Sequence, residues 1–159
     1  MESTRIHPET RIGCVRLKVA NIERSLGSYR EAFGFEATQR YGEDAVFLSA
    51  GRYHHHIAPN AWAGRNVPPD PRESPGLFHH AILYPERREI VRAFGMLLDA
   101  EHPLDGASDH GISEALYLRD PDDNGVELYR DRSREAWNHH GEGNSAMVTQ
   151  PLDGAVRGG

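Results

Sequence analysis

Apolar residues in the first part of the chain change from a spacing of two to a spacing of three or four. A spacing of two predicts a strand, and the wider spacing predicts a helix. Val15, Leu17 and Val19 occupy one face of the predicted strand. Asn21 then begins the helix as its N-cap. The apolar side of this helix consists of Ile22, Leu26, Tyr29 and Phe33. We expect it to cover the apolar face of the strand.

The same order of elements returns in the second part of the chain, from Leu77 onwards. The segment LFHHAILYP predicts a strand with His79 and Ala81 on one face and His80 and Ile82 on the other. A helical stripe follows, made of Ile90, Val91, Phe94, Leu97 and Leu98. The turn-forming sequence DPDDNG then joins two further strands, SEALYLRD and GVELYRD. The chain therefore repeats strand, helix and paired strands, with units at 11–62 and 77–133.

The repeat units leave three segments outside them. Residues 1–10 form a polar lead-in, 63–76 a proline-rich linker, and 134–159 a polar tail. The two units together predict one domain over 11–133, because 159 residues lie within the usual size of a single domain.

Composition narrows the class of protein. The formal net charge is -6 and no run of Lys or Arg is present, which argues against a nucleic-acid partner. A single cysteine cannot form an intrachain disulfide. No segment has the apolar length of a membrane span or of a signal peptide. We therefore expect a cytoplasmic protein without a membrane partner.

Metal-ligating residue types recur at matched places in the two units. When the units are superposed, Cys14 falls on His79 and His54 falls on Glu127. Cysteine, histidine and carboxylate side chains bind transition metals. Cys14 also shares a strand face with Arg16 and Lys18, and this face is too polar to pack against a helix. The pattern predicts a cleft with a metal site.

At these residues the chain resembles the vicinal oxygen chelate superfamily, which contains glyoxalases, bleomycin-resistance proteins and extradiol dioxygenases. The resemblance rests on VRLKVANIERSLGSYREAFGFE, GLFHHAILYP and ALYLRDPDDNGVELYRDR, and covers about 11–133. YHHHIAPNAW, SDHGISEALYLRDP and AMVTQPLD are similar to the catechol 2,3-dioxygenase branch. The resemblance implies an α+β fold of paired βαβββ modules whose mixed sheet curls around a metal or ligand cleft.

The resemblance also implies a set of metal ligands. It places His79 and Glu127 as ligands without difficulty, whereas the first-strand position that is usually histidine is Cys14 here. His54, His79 and Glu127 would restore a set of two histidines and one carboxylate, which is typical of iron-dependent oxygenases. Each of these residues also has a simpler interpretation. Glu127 could be a surface glutamate, Cys14 could be a small buried residue, and His80 could be the ligand in place of His79.

Further residues are candidates for catalysis and substrate binding. His110 corresponds to an acid/base in ring-cleaving relatives, and otherwise it is a loop histidine. Tyr129 shares the face of Glu127 and could donate a hydrogen bond to a substrate oxygen, or it could belong to the core. His56 lies on the face of His54 and could contact the ligand. Arg16 and Lys18 could hold an anionic substrate, unless they pair with acidic neighbours.

The function implied is that of a metal-dependent enzyme resembling an extradiol (catechol 2,3-) dioxygenase, acting on a small molecule with vicinal oxygens. It would use Fe(II) or Mn(II) and form a homodimer, as the family commonly does. One alternative is a glyoxalase- or epimerase-type isomerase or lyase with Zn or Ni. The other is a non-catalytic binding protein for small molecules such as antibiotics, which an aromatic content of 8% does not favour.

Overall fold

The computed structural model describes residues 5–136 and, beyond them, only the backbone of 139–140, 144–145 and 150–151. The first unit is a βαβββ module with elements β1 (Val15–Lys18), α1 (Ile22–Glu31), β2 (Glu36–Tyr41), β3 (Ala45–Ser49) and β4 (Ile57–Asn60). The second repeats it with β5 (His80–Leu83), α2 (Arg87–Asp99), β6 (Leu104–Asp109), β7 (Ser113–Arg119) and β8 (Gly125–Asp131). The predicted α+β class with paired modules is confirmed.

Short segments follow the second module. They are a 3-10 turn at Arg134–Ala136 and the strands β9 (His139–His140), β10 (Asn144–Ser145) and β11 (Gln150–Pro151). Strand β11 pairs with β6, so this piece of the segment predicted as a tail extends the second sheet. Beyond these short segments, the predicted tail lies outside the described residues. Among the helices that the structure describes, none is both long and apolar enough to cross a membrane.

Each module forms a mixed sheet with the same strand order. The first sheet runs β1-β4-β3-β2, and the second runs β5-β8-β7-β6 with β11 at its edge. In both sheets the first and last strands of the module pair in parallel, β1 with β4 and β5 with β8. A parallel pair within one module requires a crossover, and the helix provides it. The pairing places the start of β5 beside β8, which carries Glu127.

The faces of β1 follow the predicted alternation. Leu17 and Val19 are buried, whereas Arg16 and Lys18 are exposed. Helix α1 begins as predicted, because the Asn21 side chain accepts a hydrogen bond from the backbone N–H of Arg24.

The stripe predicted on α2 is wrong at two positions. Val91 and Leu98 are 54% and 59% exposed, whereas Ile90, Ala93 and Leu97 are buried. The buried residues form a narrower stripe than the apolar residues do. Since the sheet covers only this stripe, two large apolar side chains remain on the open side of the helix.

The two modules share one hydrophobic core, and Tyr29 of α1 lies at their junction. Its side chain has no exposed surface, and its ring stacks on His80 of β5 at a centroid distance of 6.2 Å. The Tyr29 hydroxyl donates a hydrogen bond of 3.1 Å to Asp120. The ring of Phe33, which follows α1, packs 5.4 Å from that of His102, which follows α2. The buried side of helix α1 therefore packs against both its own sheet and the second module.

A buried carboxylate strengthens this junction. Asp122, in the turn between β7 and β8, accepts hydrogen bonds from the backbone N–H of Ala20 (2.8 Å), the guanidinium of Arg24 (2.7 Å) and the hydroxyl of Ser25 (3.0 Å). Hydrogen bonds to an ionised group are the strongest that proteins make, and a buried partner left without them carries a desolvation cost. Asp122 thus attaches the turn before β8 to the start of α1.

We predict that Asp122→Ala lowers the free energy of unfolding by about 2–4 kcal/mol, because it leaves the buried N–H of Ala20 and the hydroxyl of Ser25 without their acceptor. Urea unfolding followed by circular dichroism measures the change. Asp70→Ala is the control, since Asp70 makes an exposed ion pair with Lys18 and its loss should cost under about 1 kcal/mol. Equal midpoints for the two variants would contradict the role given to Asp122.

Candidate functional site

The strand register corrects one of the two correspondences predicted between the modules. Across the parallel pairs, Arg16 is opposite Ala58 and Ala81 is opposite Glu127. If Cys14 is aligned with His79, these registers align Glu127 with Ala58. The predicted match of His54 with Glu127 is therefore wrong. His54 lies in the bend that precedes β4. The sequence does not show how many residues this bend takes up before the strand begins.

His79 and Glu127 come together on the open face of the second sheet. The His79 Nε2 and Glu127 Oε2 atoms are 3.0 Å apart, with 32% and 14% of the two side chains exposed. His79 immediately precedes β5, which pairs with β8, so the two residues converge at neighbouring strands. Ala81 and Leu83 of the same face are exposed, which leaves this face accessible in a single chain.

Tyr117 of β7 belongs to this site. It is paired directly with Glu127 across the antiparallel strands, and its hydroxyl donates a 3.1 Å hydrogen bond to Glu127 Oε1. Burial, the charge of Glu127 and this hydrogen bond raise the pKa of Tyr117 to about 12. The sequence interpretation named Tyr129 but missed Tyr117. The alternation of side chains in ALYLRD could have indicated Tyr117. It does so only when the residue that pairs with Glu127 is known.

His110 extends the hydrogen-bonded series. Its Nε2 atom lies 2.5 Å from the Tyr117 hydroxyl oxygen. A tyrosine hydroxyl has one proton, and Tyr117 donates it to Glu127, so in this arrangement His110 is the donor from Nε2. The turn at Gly111, where φ is 77°, returns the chain so that the His110 N–H donates to the carbonyl of Ser113. The structure thus connects His79, Glu127, Tyr117 and His110.

The neighbours of these residues occupy different environments. His80 faces the core, and burial, together with the charge of His79, lowers its pKa to about 4. It is the packing residue that alternation predicted. Tyr129 lies further along β8 and is half-buried, and burial together with the charges of Asp131 and Glu127 raises its pKa. Its contact with substrate stays a prediction.

The residues predicted on the first module lie on exposed positions of β1 and just before it. Cys14 is exposed, so the alternative of a small buried residue is wrong. The Arg16 guanidinium lies 6.0 Å from the ring centroid of Phe47 and 5.8 Å from that of Trp62, within reach of cation–π attraction. Lys18 pairs with Asp70 at 3.1 Å, which competes with a role in holding substrate.

The three consecutive histidines differ from one another. His54 is exposed, and its Nδ1 atom is 2.8 Å from Nδ1 of His55. His56 is half-buried, with Nδ1 accepting from the N–H of Ala50 at 3.3 Å and lying 3.2 Å from the Ser49 hydroxyl. Across the described part of the chain, no three His, Cys, Asp or Glu side chains are grouped so that they could hold a metal. Of the predicted ligands, the structure brings together His79 and Glu127.

The family model described as the Glyoxalase/Bleomycin resistance protein/Dioxygenase superfamily matches residues 11–128. A catechol-2,3-dioxygenase of Bacillus subtilis (strain 168) is 38% identical over 151 residues, which are 94% of this chain and 52% of that protein. Biphenyl-2,3-diol 1,2-dioxygenase 3 of Rhodococcus globerulus is 32% identical over 85 residues, 54% of this chain and 45% of that protein. The chain spans about half the length of these curated relatives.

Solved structures show a similar fold. A glyoxalase/dioxygenase from Nostoc punctiforme has a TM-score of 0.65 at 13% identity, covering 82% of this chain and 99% of that one. A lactoylglutathione lyase from Agrobacterium tumefaciens has a TM-score of 0.59 at 21% identity, covering 78% and 96%. At these identities the likeness concerns the fold alone.

We predict that Glu127→Gln lowers the pKa of Tyr117, because the charge of Glu127 helps to raise it. Absorbance of tyrosinate near 295 nm during alkaline titration measures this, with Tyr117→Phe subtracted to isolate the residue. The pKa of Tyr117 is higher in the folded state than in the unfolded state, so its protonation stabilises the fold below the unfolded pKa of about 10. This stabilisation is lost as the pH rises to about 12. Circular dichroism must therefore accompany the titration. Glu36→Gln, on the exposed strand β2, is the control, and an equal response of both variants would argue against coupling between Glu127 and Tyr117.

Proposed function

Because this chain belongs to the glyoxalase, bleomycin resistance protein and dioxygenase superfamily, we propose that it is a divalent-metal-dependent enzyme of the extradiol dioxygenase type. Its substrate would be a small molecule with two adjacent oxygen atoms, such as a catechol. The observation that carries this proposal is the contact of His79 with Glu127, continued by hydrogen bonds that link Glu127, Tyr117 and His110. His79 and Glu127 have the chemistry of metal ligands, Tyr117 that of a hydrogen-bond donor, and His110 that of a general acid or base.

The donor atoms of His79 and Glu127 fit one side of a metal site. Two neighbouring ligands at right angles, each bound at about 2.1 Å, are about 3.0 Å apart, and Nε2 of His79 lies 3.0 Å from Oε2 of Glu127. Imidazole and carboxylate together suit Fe(II) or Mn(II). When bound, such an ion would supply Lewis acidity to a chelated substrate and open positions for oxygen. Tyr117 would orient the Glu127 carboxylate through Oε1.

We assign different roles to His110 and Tyr117. The Tyr117 hydroxyl stays protonated at physiological pH, because its pKa is raised to about 12. It therefore acts as a hydrogen-bond donor that positions Glu127. A histidine can take up and release protons near neutral pH, so we assign acid/base catalysis to His110. Tyr129 and Arg16 would contact substrate oxygens, with His56 and Lys18 as further candidates.

A second copy of the chain would complete the site. His79 and Glu127 are two ligands, and the remaining donor must come from outside their cluster. Cys14 occupies the repeat position of His79, and it is exposed together with Arg16 and Lys18 on the same face. We therefore infer that a second copy supplies the remaining donor in a homodimer, and Cys14 is its candidate by repeat position. The curated relatives, about half of whose length is matched, have room for two such spans in one chain.

Cys14 supports one further candidate function. A thiolate is a soft donor that suits zinc better than Fe(II), and it is oxidisable beside oxygen. If Cys14 binds the ion, an isomerase or lyase that uses Zn or Ni becomes the better assignment. The metal preference of Cys14→His therefore distinguishes the two functions, since imidazole in place of thiolate should shift the preference towards Fe(II) or Mn(II).

Glu127→Ala should abolish retention of Fe(II) or Mn(II) at this site and cleavage of a catechol ring, because the site loses its only carboxylate ligand. Metal retained after anaerobic loading and desalting, together with the absorbance of the ring-opened product, measures both. His110→Ala should retain metal and lose about 100-fold or more in kcat. Tyr117→Phe should lose about 10–100-fold in metal affinity or activity. Glu36→Ala should match the unsubstituted protein. Metal retention unchanged by Glu127→Ala would refute the assignment.

Mixing Cys14→Ala with Glu127→Ala tests whether the site spans two copies. Each variant alone should lack intact sites, because every site needs Glu127 from one copy and Cys14 from the other. A dimer that contains one copy of each variant has one intact site of two. Random exchange should then restore about a quarter of the sites. Metal stoichiometry of the re-equilibrated mixture measures this, and analytical ultracentrifugation reports the dimer. No recovery in a mixture shown to contain mixed dimers would mean that Cys14 does not complete the site.

A further inference from the structure

The segment His54–His55–His56 presents two imidazoles side by side at the surface. Nδ1 of His54 and Nδ1 of His55 are 2.8 Å apart, and their ring centroids are separated by 4.5 Å. His54 is exposed and His55 is half-buried, so both rings can be reached from solvent. Neither residue aligns with Glu127, whose repeat position is Ala58. The pair is thus not a repeat of the site on the second module.

The backbone on both sides of the pair is held in place. The Thr38 hydroxyl donates a 2.8 Å hydrogen bond to the carbonyl of His54. The N–H of His56 donates to the carbonyl of Leu48, and the carbonyl of His56 accepts from the N–H of Val15. These bonds attach the segment to the sheet at each end.

Aromatic neighbours also restrict the two rings. The Tyr53 ring lies 4.1 Å from that of His54, and the Phe47 ring lies 4.8 Å from that of His55. Ligands already held near their bound geometry lose less conformational entropy when they bind, which favours affinity. The segment is therefore a better site than three histidines in an unstructured chain.

We propose that His54 and His55 form a second transition-metal site, separate from His79 and Glu127, which takes Ni(II), Cu(II) or Zn(II). Adjacent ligands of an octahedral ion bound at about 2.1 Å lie about 3.0 Å apart, close to the observed 2.8 Å. Imidazole is a preferred donor for these three ions. Binding moves the proton shared by the two Nδ1 atoms to an Nε2 atom, so that both Nδ1 lone pairs face the ion.

The positive charge of Arg16 favours a metal ion that already has an anionic ligand. Arg16 is near enough that its positive charge acts on His55, and it therefore opposes a bare divalent ion at the pair. An ion that brings an anionic ligand meets less repulsion, and its co-ligand can interact with the guanidinium. Two protein nitrogens leave the other coordination positions for such a ligand. The site thus fits an anionic chelate complex with two adjacent open positions.

Ni(II)-nitrilotriacetate is a probe with this charge and geometry. Tag-free protein should bind the soluble complex in a titration, and His54→Ala or His55→Ala should weaken binding at least about tenfold, because even the outer-shell partners of metal ligands contribute about 10–100-fold. His7→Ala, at an exposed histidine outside both modules, should bind as the unsubstituted protein does. His79→Ala should also bind unchanged, which separates this proposal from the proposed function.

Two results would overturn the second site. One is the absence of binding by the unsubstituted protein, and the other is binding that survives both His54→Ala and His55→Ala. Cu(II) electron paramagnetic resonance provides a readout independent of affinity. It should show coupling to two imidazole nitrogens in the unsubstituted protein and to one in each single variant.

Discussion

The buried carboxylates of the turn between β7 and β8 are the constraint on which the rest of the structure depends. Asp122 accepts three hydrogen bonds from the start of α1, and Asp120 accepts one from Tyr29. Burial raises the pKa of Asp120, so the hydrogen bonds it accepts must offset a real desolvation cost. The same turn leads directly into β8. The contact that joins the two modules therefore also determines where Glu127 lies.

The chemistry of the second sheet depends on the separation of its two faces. His79 and His80 are adjacent in sequence, yet His79 reaches Glu127 on the open face and His80 packs on Tyr29 in the core. Strand alternation is the physical reason, since neighbouring side chains point to opposite faces. Two identical side chains thereby meet different surroundings, and only His79 lies beside a carboxylate on the open face.

Part of the candidate site could be predicted from the sequence. His79, Glu127 and His110 were named from the family motifs around them, and the structure connects all three through hydrogen bonds or ion pairing. Tyr117 was missed because its importance comes from pairing with Glu127 across two strands. The match of His54 with Glu127 failed because superposed repeats do not reveal how many residues the turn before β4 takes up.

The sequence by itself determined the strand, helix and paired strands of each module, their order, and the faces of β1 and β5. These follow from periods of two and 3.6 residues and from local signals such as the Asn21 cap. Only the tertiary structure decided the strand registers, the exposure of Val91 and Leu98, and the hydrogen bond between Tyr29 and Asp120, which are 91 positions apart. A period records which side of an element is apolar. It does not record which distant residue will cover that side, because that depends on packing between segments remote in sequence.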